Sequence, residues 1–159
     1  MSDLERAIAI CVEAHRGQRQ KDGLPYALHP LALAQAVGPV KAKIAAVLHD
    51  VVEDTDWTLA ALEAEGFAPA VIRALALLTH DDGSPYPDYV ERIARNALAR
   101  EVKLADLEHN MDLRRIPSPT ARDLERLAKY RAAWEVLSRA RDAARGPGPH
   151  EVAEPISSR

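Results

Sequence analysis

Cysteine is nearly missing from this chain: Cys11 is the only one among 159 residues. An intrachain disulfide is therefore excluded, and the composition fits a reducing compartment. No apolar run approaches the roughly 20 residues that a membrane-spanning helix needs. The acidic start of the chain lacks the features of a secretory signal, so a cytoplasmic protein without membrane contact is expected. Neither sign of charge dominates, with 21 Lys and Arg against 24 Asp and Glu and a formal net charge of −3. That balance leaves no electrostatic footprint for nucleic acid. Glycine is scarce at seven residues. None of them builds a Gly-rich phosphate loop, which argues against an ATP- or GTP-driven transferase. Aromatic residues make up only 4% while hydrophobic residues reach 47%. Alanine, leucine and arginine dominate, a composition that favours helices in a single domain with its own core.

The pattern along the chain is all-α. Ser2 and Glu5 read as a capping box that opens a helix from about Asp3 to His15, with Leu4, Ala7, Ile8, Cys11 and Val12 at helical spacing. The polar stretch from Arg16 to Tyr26 reads as a loop. Pro30 suits the first turn of a second helix that ends before Gly38. A third runs from about Val40 to Glu53. Thr58 caps a short fourth, stopped by Gly66, and Pro69 starts a fifth that reaches about Thr79. His80 to Ser84 is a turn, and Pro85 and Pro87 precede a sixth helix. Ala99 to Arg114 forms a seventh, and Ser118-Pro119 opens a long last helix to about Ala144. The expected layout is one domain over residues 1–144 and a disordered tail over 145–159. From the short stretch after Arg141, a hydrolase domain without a synthetase or regulatory domain is expected.

The chemistry concentrates in His49-Asp50-Val51-Val52-Glu53-Asp54, which closes the apolar run Ile44-Ala45-Ala46-Val47-Leu48. Charged groups at the end of a buried helix are costly unless they are paired or bind a metal. On a continuous helix His49 and Glu53 share one face, and Asp50 and Asp54 form the adjacent stripe. An imidazole beside a carboxylate is a natural pair of metal ligands, and two further acids can position or deprotonate a water. His29, in Tyr26-Ala27-Leu28-His29-Pro30, reads alone as structural or solvated. Asp106, in Val102-Lys103-Leu104-Ala105-Asp106, reads alone as an ion-paired or capping acid, with Asn110 one turn further on. Taken with His49 and Asp50, they complete a set of two imidazoles and two carboxylates. Such a set suits Mn²⁺, Fe²⁺ or Zn²⁺.

Four stretches occur in an order that resembles a known family. They are His15-Arg16-Gly17-Gln18, Pro25-Tyr26-Ala27-Leu28-His29-Pro30, Leu48-His49-Asp50-Val51-Val52-Glu53-Asp54-Thr55, and Val102-Lys103-Leu104-Ala105-Asp106 continuing to His109-Asn110-Met111. Together they resemble the HD-domain metal-dependent phosphohydrolases, in the RelA/SpoT branch with its free-standing small alarmone hydrolases. The resemblance covers roughly Leu4 to Ala140 and implies an HD-domain helical bundle. It implies His29, His49, Asp50 and Asp106 as metal ligands, usually for Mn²⁺, and Glu53 and Asp54 as the catalytic pair that activates or orients the attacking water. It implies hydrolysis of guanosine 3′,5′-bis(diphosphate), the alarmone of the stringent response, to a guanosine 5′-phosphate and pyrophosphate. Asn110 matches a position near the metal and the nucleotide.

Three positions depart from the family pattern. Gln20 stands where the first of two basic residues is common, leaving Lys21 as the basic member. Asp112 and Leu113 follow Met111 where Arg-Thr is common, and Asp112 adds negative charge where a polyphosphate would approach. Candidate substrate contacts are Arg19 and Lys21 in the polar loop, Asn110, and Tyr89 and Arg92. The last two fall with Tyr86 at i, i+3 and i+6, a face that could stack on a base and pair a phosphate. The alternative for that face is half-buried tyrosines with a solvated arginine. Arg114 and Arg115 read as solvated or ion-paired, His80 and His150 as surface residues, and His109 as a core residue or a neighbour of the ligands. The expected partner is a small-molecule nucleotide, and a homodimer is compatible with the sequence. The departures keep a second function in view, an HD phosphohydrolase for another nucleotide or phosphorylated metabolite. A helical metal-binding module without turnover is a third, disfavoured by the intact Glu53-Asp54 pair.

Overall fold

A computed structural model of the chain describes residues 3–81 and 83–146. Among these residues the fold is all-α: α1 (Leu4–Ala14), α2 (Leu28–Ala36), α3 (Val40–Leu48), α4 (Val51–Asp54), α5 (Leu59–Ala64), α6 (Pro69–Leu78), α7 (Tyr86–Ala94), α8 (Ala97–Asn110) and α9 (Ala121–Arg145). A single 3₁₀ turn, Leu113–Arg115, follows α8. None of the helices is long and apolar enough to cross a membrane. The stretch expected to form a disordered tail lies, from residue 147 on, outside the described residues.

Local chemistry places the helix ends. Asp3 caps α1 by accepting from the Arg6 amide at 3.0 Å; Ser2, the expected cap, lies outside the described residues. Thr58 caps α5 through the Ala61 amide. Asn96 caps α8 through the Ala99 amide, so that helix starts two residues before the expected Ala99. Thr120, not Ser118, opens α9, in a capping box with Asp123. Gly66, at φ 91°, ends α5 with a left-handed turn that a side chain would strain.

Helix α3 is the buried axis of the bundle. Ala42, Ala45, Ala46, Val47 and Leu48 have no exposed surface, and a helix apolar nearly all round belongs in a core. It packs against α1, α2, α6 and α8, while α9 lies across α7 and α8. The expected continuous helix from Val40 to Glu53 is broken. α3 ends at Leu48, His49 and Asp50 form a turn, and α4 resumes at Val51. Neighbours on a continuous helix diverge by about 100° and do not face each other. Here both residues keep right-handed helical backbone angles, yet their side chains meet, with His49 Nε2 and Asp50 Oδ2 2.9 Å apart. The expected seventh helix is likewise shortened, ending at Asn110, and the 3₁₀ turn carries Arg114 and Arg115.

Because Leu48 is fully buried on this axis, Leu48→Ala is expected to destabilise the protein by about 2–5 kcal/mol in urea unfolding. Val12→Ala, at a position 48% exposed, is expected to stay within about 0.5 kcal/mol of wild type.

Candidate metal centre and active-site cleft

Three elements deliver the four predicted ligands to one place: α2 brings His29, the α3–α4 turn brings His49 and Asp50, and α8 brings Asp106. His29, His49 and Asp50 each offer a donor atom within 4.8 Å of the others. Asp106 Oδ1 lies 3.1 Å from His29 Nε2 and 3.7 Å from His49 Nε2, and Asp50 Oδ2 lies 3.8 Å from His29 Nε2. Donors about 2.1 Å from a shared ion stand about 3–4 Å apart, so the spacing suits one divalent cation.

The imidazoles are oriented from behind. His49 Nδ1 is 2.7 Å from the Ala46 carbonyl, which can only accept, so that nitrogen carries a proton and donates it. His49 Nε2 is buried with no partner in hydrogen-bond geometry, although Asp50 Oδ2 is close. An orphaned ring nitrogen facing carboxylates is what a missing cation would leave behind. Burial alone would lower the His49 pKa, but the Asp50 and Asp106 carboxylates together hold it well above the ordinary range. The centre therefore calls for positive charge, which either a proton or a divalent cation supplies. His29 is held differently, with its Nδ1 2.7 Å from His109 Nδ1 in rings only 21° from parallel. Burial, then Arg115 and His29, push the His109 pKa down to about 4. The stacked His109 ring fixes His29 with its Nε2 3.1 Å from Asp106 Oδ1. The sequence left His109 as either a core residue or a neighbour of the ligands; the geometry makes it the latter.

The carboxylates are held as firmly. Tyr26 donates its hydroxyl to Asp50 Oδ2 at 2.5 Å. Asp106 accepts from Lys103 Nζ at 2.7 Å and from Asn110 Nδ2 at 2.8 Å. Burial would raise the Asp106 pKa, but Lys103, then His29 and His49, carry it well below the usual carboxylate range. Lys103 is itself nearly buried, and Asp106 outweighs that burial to hold its ammonium charged. Tyr26 and Lys103 were part of the sequence motifs, but nothing in their spacing reveals the roles they take here.

Glu53 and Asp54 project from α4 into the cleft that the ligands line, together with His80, Tyr86, Tyr89, Lys129 and Tyr130. Both residues are exposed, but the cleft walls partly screen their carboxyls from water and the Asp50 charge adds to this, raising both pKa values from the ordinary range. A raised carboxyl pKa moves a group toward the pH at which it exchanges protons efficiently. The expected Tyr86–Tyr89–Arg92 face forms only in part. The two tyrosine rings lie 5.7 Å apart and line the cleft, but Tyr89 spends its hydroxyl on the Leu78 carbonyl. Arg92 is exposed and donates to Ser84 Oγ, outside the cleft. His80, expected on the surface, is half-buried against Tyr89; His150 lies outside the described residues.

A second cavity of about 220 Å³ adjoins the centre through Tyr26, His29, Asn110 and Tyr130. It holds the other predicted substrate contacts, Arg19 and Lys21. The Lys21 ammonium is ion-paired with Asp123 of α9.

Breaking a buried ion pair by removing one partner typically costs about 3–5 kcal/mol. Lys103→Met is expected to destabilise the protein by about that much at pH 7 with divalent ions chelated. The folded-state pKa of Asp106 lies below its unfolded value, so its contribution is present at neutral pH and lost as pH falls through the folded value. The penalty of Lys103→Met should therefore shrink on acidification, as read by denaturant unfolding across pH.

No family model matches the chain. It is 34% identical over 141 residues to the guanosine-3′,5′-bis(diphosphate) 3′-pyrophosphohydrolase of Danio rerio, covering 80% of this chain and 77% of that protein. It is 38% identical over 120 residues to a probable enzyme of the same name from Synechocystis sp., but spans only 16% of that protein's length. It is 30% identical over 151 residues to a probable GTP pyrophosphokinase of Mycobacterium leprae, of which it spans 19%. A solved structure of a metazoan ortholog of SpoT that hydrolyzes ppGpp superimposes with a TM-score of 0.70 at 25% identity, covering 88% of this chain and 85% of that one.

Proposed function

The chain belongs to the RelA/SpoT-type HD hydrolase family, and on that premise we propose that it hydrolyses guanosine 3′,5′-bis(diphosphate) and releases the 3′ group as pyrophosphate. The observation that carries this reading is the convergence of two imidazole nitrogens and two carboxylates at one end of a cleft whose wall presents Glu53 and Asp54. His29, His49, Asp50 and Asp106 would hold a divalent cation, with Mn²⁺ the ion expected from the family resemblance. Such an ion supplies Lewis acidity, lowering the pKa of a water and neutralising phosphate charge.

The rest falls to the chain's own side chains. Ala46 and His109 hold the two imidazoles, and Tyr26, Lys103 and Asn110 hold the two carboxylates, so the ligand set is positioned before substrate arrives. Glu53 or Asp54 accepts a proton from the attacking water. The water oxygen bonds to the phosphorus attached to the 3′ oxygen, and the bond from that phosphorus to the 3′ oxygen breaks. The proton then passes to the 3′ oxygen. The products are pyrophosphate and a nucleoside 5′-diphosphate with a free 3′-hydroxyl. Lys129 and Tyr86 are placed to meet the departing diphosphate. The Lys129 ammonium sits 4.0 Å over the Tyr86 ring, and the buried Tyr86 hydroxyl has no partner among the described residues. Arg19, Lys21 and Asn110 serve the rest of the nucleotide from the adjoining cavity.

Metal analysis of the purified chain should find one divalent ion per molecule, with His49→Ala and Asp106→Ala each losing it; full occupancy in both variants would remove the centre from consideration. Glu53→Gln and Asp54→Asn should retain the ion and lose turnover by about 10²–10⁴-fold in the double variant, the usual scale for a general base. Product chromatography should show pyrophosphate. Orthophosphate alone, or turnover confined to another nucleotide, would instead make this a phosphohydrolase of different substrate class.

A further inference from the structure

The cavity beside the metal centre is strongly cationic, and its charge is arranged in a way the sequence does not announce. Its walls carry Arg19, Lys21, Arg115 and Arg126 against a single carboxylate, Asp123. Lys21 is spent on Asp123. Arg114, next to Arg115, is spent on Asp112 through two 2.8 Å hydrogen bonds, which also draw the Asp112 pKa down to about 2. The negative charge that Asp112 brings is thereby neutralised locally. Arg115 is in a different position. Its guanidinium donates to the His109 carbonyl at 2.8 Å and to Gln20 Oε1 at 2.5 Å. Both acceptors are neutral, so the guanidinium is fixed in place without a carboxylate bonded to it, and Asp112, which feels its charge, is itself bonded to Arg114. Gln20, the position where the chain lacks a basic residue, is thus the clamp that brings a cation in from the 3₁₀ turn. A carboxylate at position 20 would hold the arginine equally well and cancel its charge; a lysine or arginine there would repel it.

We propose that Arg115, clamped by Gln20 and flanked by Arg19 and Arg126, binds the 5′-phosphates of the nucleotide. The inference rests on the reading of the metal centre as the place where the 3′ group is cut. A nucleotide whose 3′ group lies at His29 and Asn110 extends its remaining half into the cavity those residues border. There a partly desolvated, pre-positioned guanidinium is the group that recognises a phosphate best, and Leu113, Ile116 and Leu127 supply apolar wall for the sugar and base.

The test is titration calorimetry of the manganese-loaded full chain with guanosine 5′-diphosphate, with unphosphorylated guanosine, and with pyrophosphate. Losing one charge-assisted hydrogen bond corresponds to about a tenfold or larger loss of affinity. Arg115→Gln is expected to weaken guanosine 5′-diphosphate by at least about tenfold and to leave pyrophosphate unchanged. Gln20→Glu, which keeps the clamp and cancels the charge, is expected to do the same. Unchanged affinity for guanosine 5′-diphosphate in either variant, or no binding of it by wild type, overturns the assignment. So does an equal loss for unphosphorylated guanosine, which would make Arg115 a surface for the base, or a parallel loss for pyrophosphate, which would signal general disruption. The reading of the reaction fails separately. If guanosine 3′,5′-bis(diphosphate) is not hydrolysed while the 5′-diphosphate behaves as expected, the phosphate subsite stands and the proposed chemistry does not.

Discussion

Asp50 and Asp106 bring two carboxylates to the same pair of imidazole nitrogens at a depth where water screens them little. Each of the two imidazole nitrogens lies within 4 Å of both carboxylates, and buried like charges that share such a site repel unless positive charge stands near them. Much of the surrounding architecture answers that demand. Lys103 reaches Asp106 from one turn away on α8, Tyr26 donates to Asp50 from the loop before α2, and His49 is pushed toward its charged form between them. Lys103 and Tyr26 act from outside the set of four donors, each bonded to one of the two carboxylates.

The four candidate donors gather at the end of the most deeply buried helix. α3 ends at Leu48, His49 and Asp50 follow as a turn whose backbone stays right-handed helical, and α4 resumes at Val51. His49 is thereby anchored in the core, while α4 presents Glu53 and Asp54 at the exposed side of the cleft. Depth thus separates the candidate donors from the two further acids, which is the separation that the proposed division between holding an ion and moving a proton requires.

How much of this could be read from the sequence follows from how local each signal is. Helices α1, α5, α6 and α9 are set by periodicity and by caps within a few residues of their ends, and their existence and approximate extent were readable. The grouping of the four candidate ligands came from the resemblance and not from spacing: His29 and Asp106 lie 77 positions apart, and nothing local ties them together. The break at His49-Asp50 was not readable, since Ile44 to Val52 is apolar enough to pass for one helix and tertiary contacts decide where it stops. The roles of His109, Lys103 and Arg115 were invisible for the same reason, as each depends on the position of a partner brought by another element. Arg92 failed in the opposite direction. Its spacing with Tyr86 and Tyr89 was regular, but i and i+6 on a helix stand about 120° apart, so Arg92 leaves the face of Tyr86 and donates to Ser84 instead.

The departures from the family pattern take on a different meaning once charge is followed through space. Counted along the chain, Gln20 subtracts a cation and Asp112 adds an anion, and together they suggest a pocket less suited to a polyphosphate. In the fold, Asp112 is matched by Arg114, and Gln20 holds Arg115 at the cavity wall. The cavity is cationic all the same, with one of its cations supplied by the 3₁₀ turn. Substrate preference is set by the potential and shape that a ligand meets, and two arrangements with the same potential need not share a motif. A clamp built from an amide and an arginine on a 3₁₀ turn also holds its cation more rigidly than a lysine in a polar loop would. The consequence for selectivity is geometric. A mobile cation accommodates phosphates at several distances from the metal centre, whereas a fixed one rewards a single separation between the group being cut and the group being held.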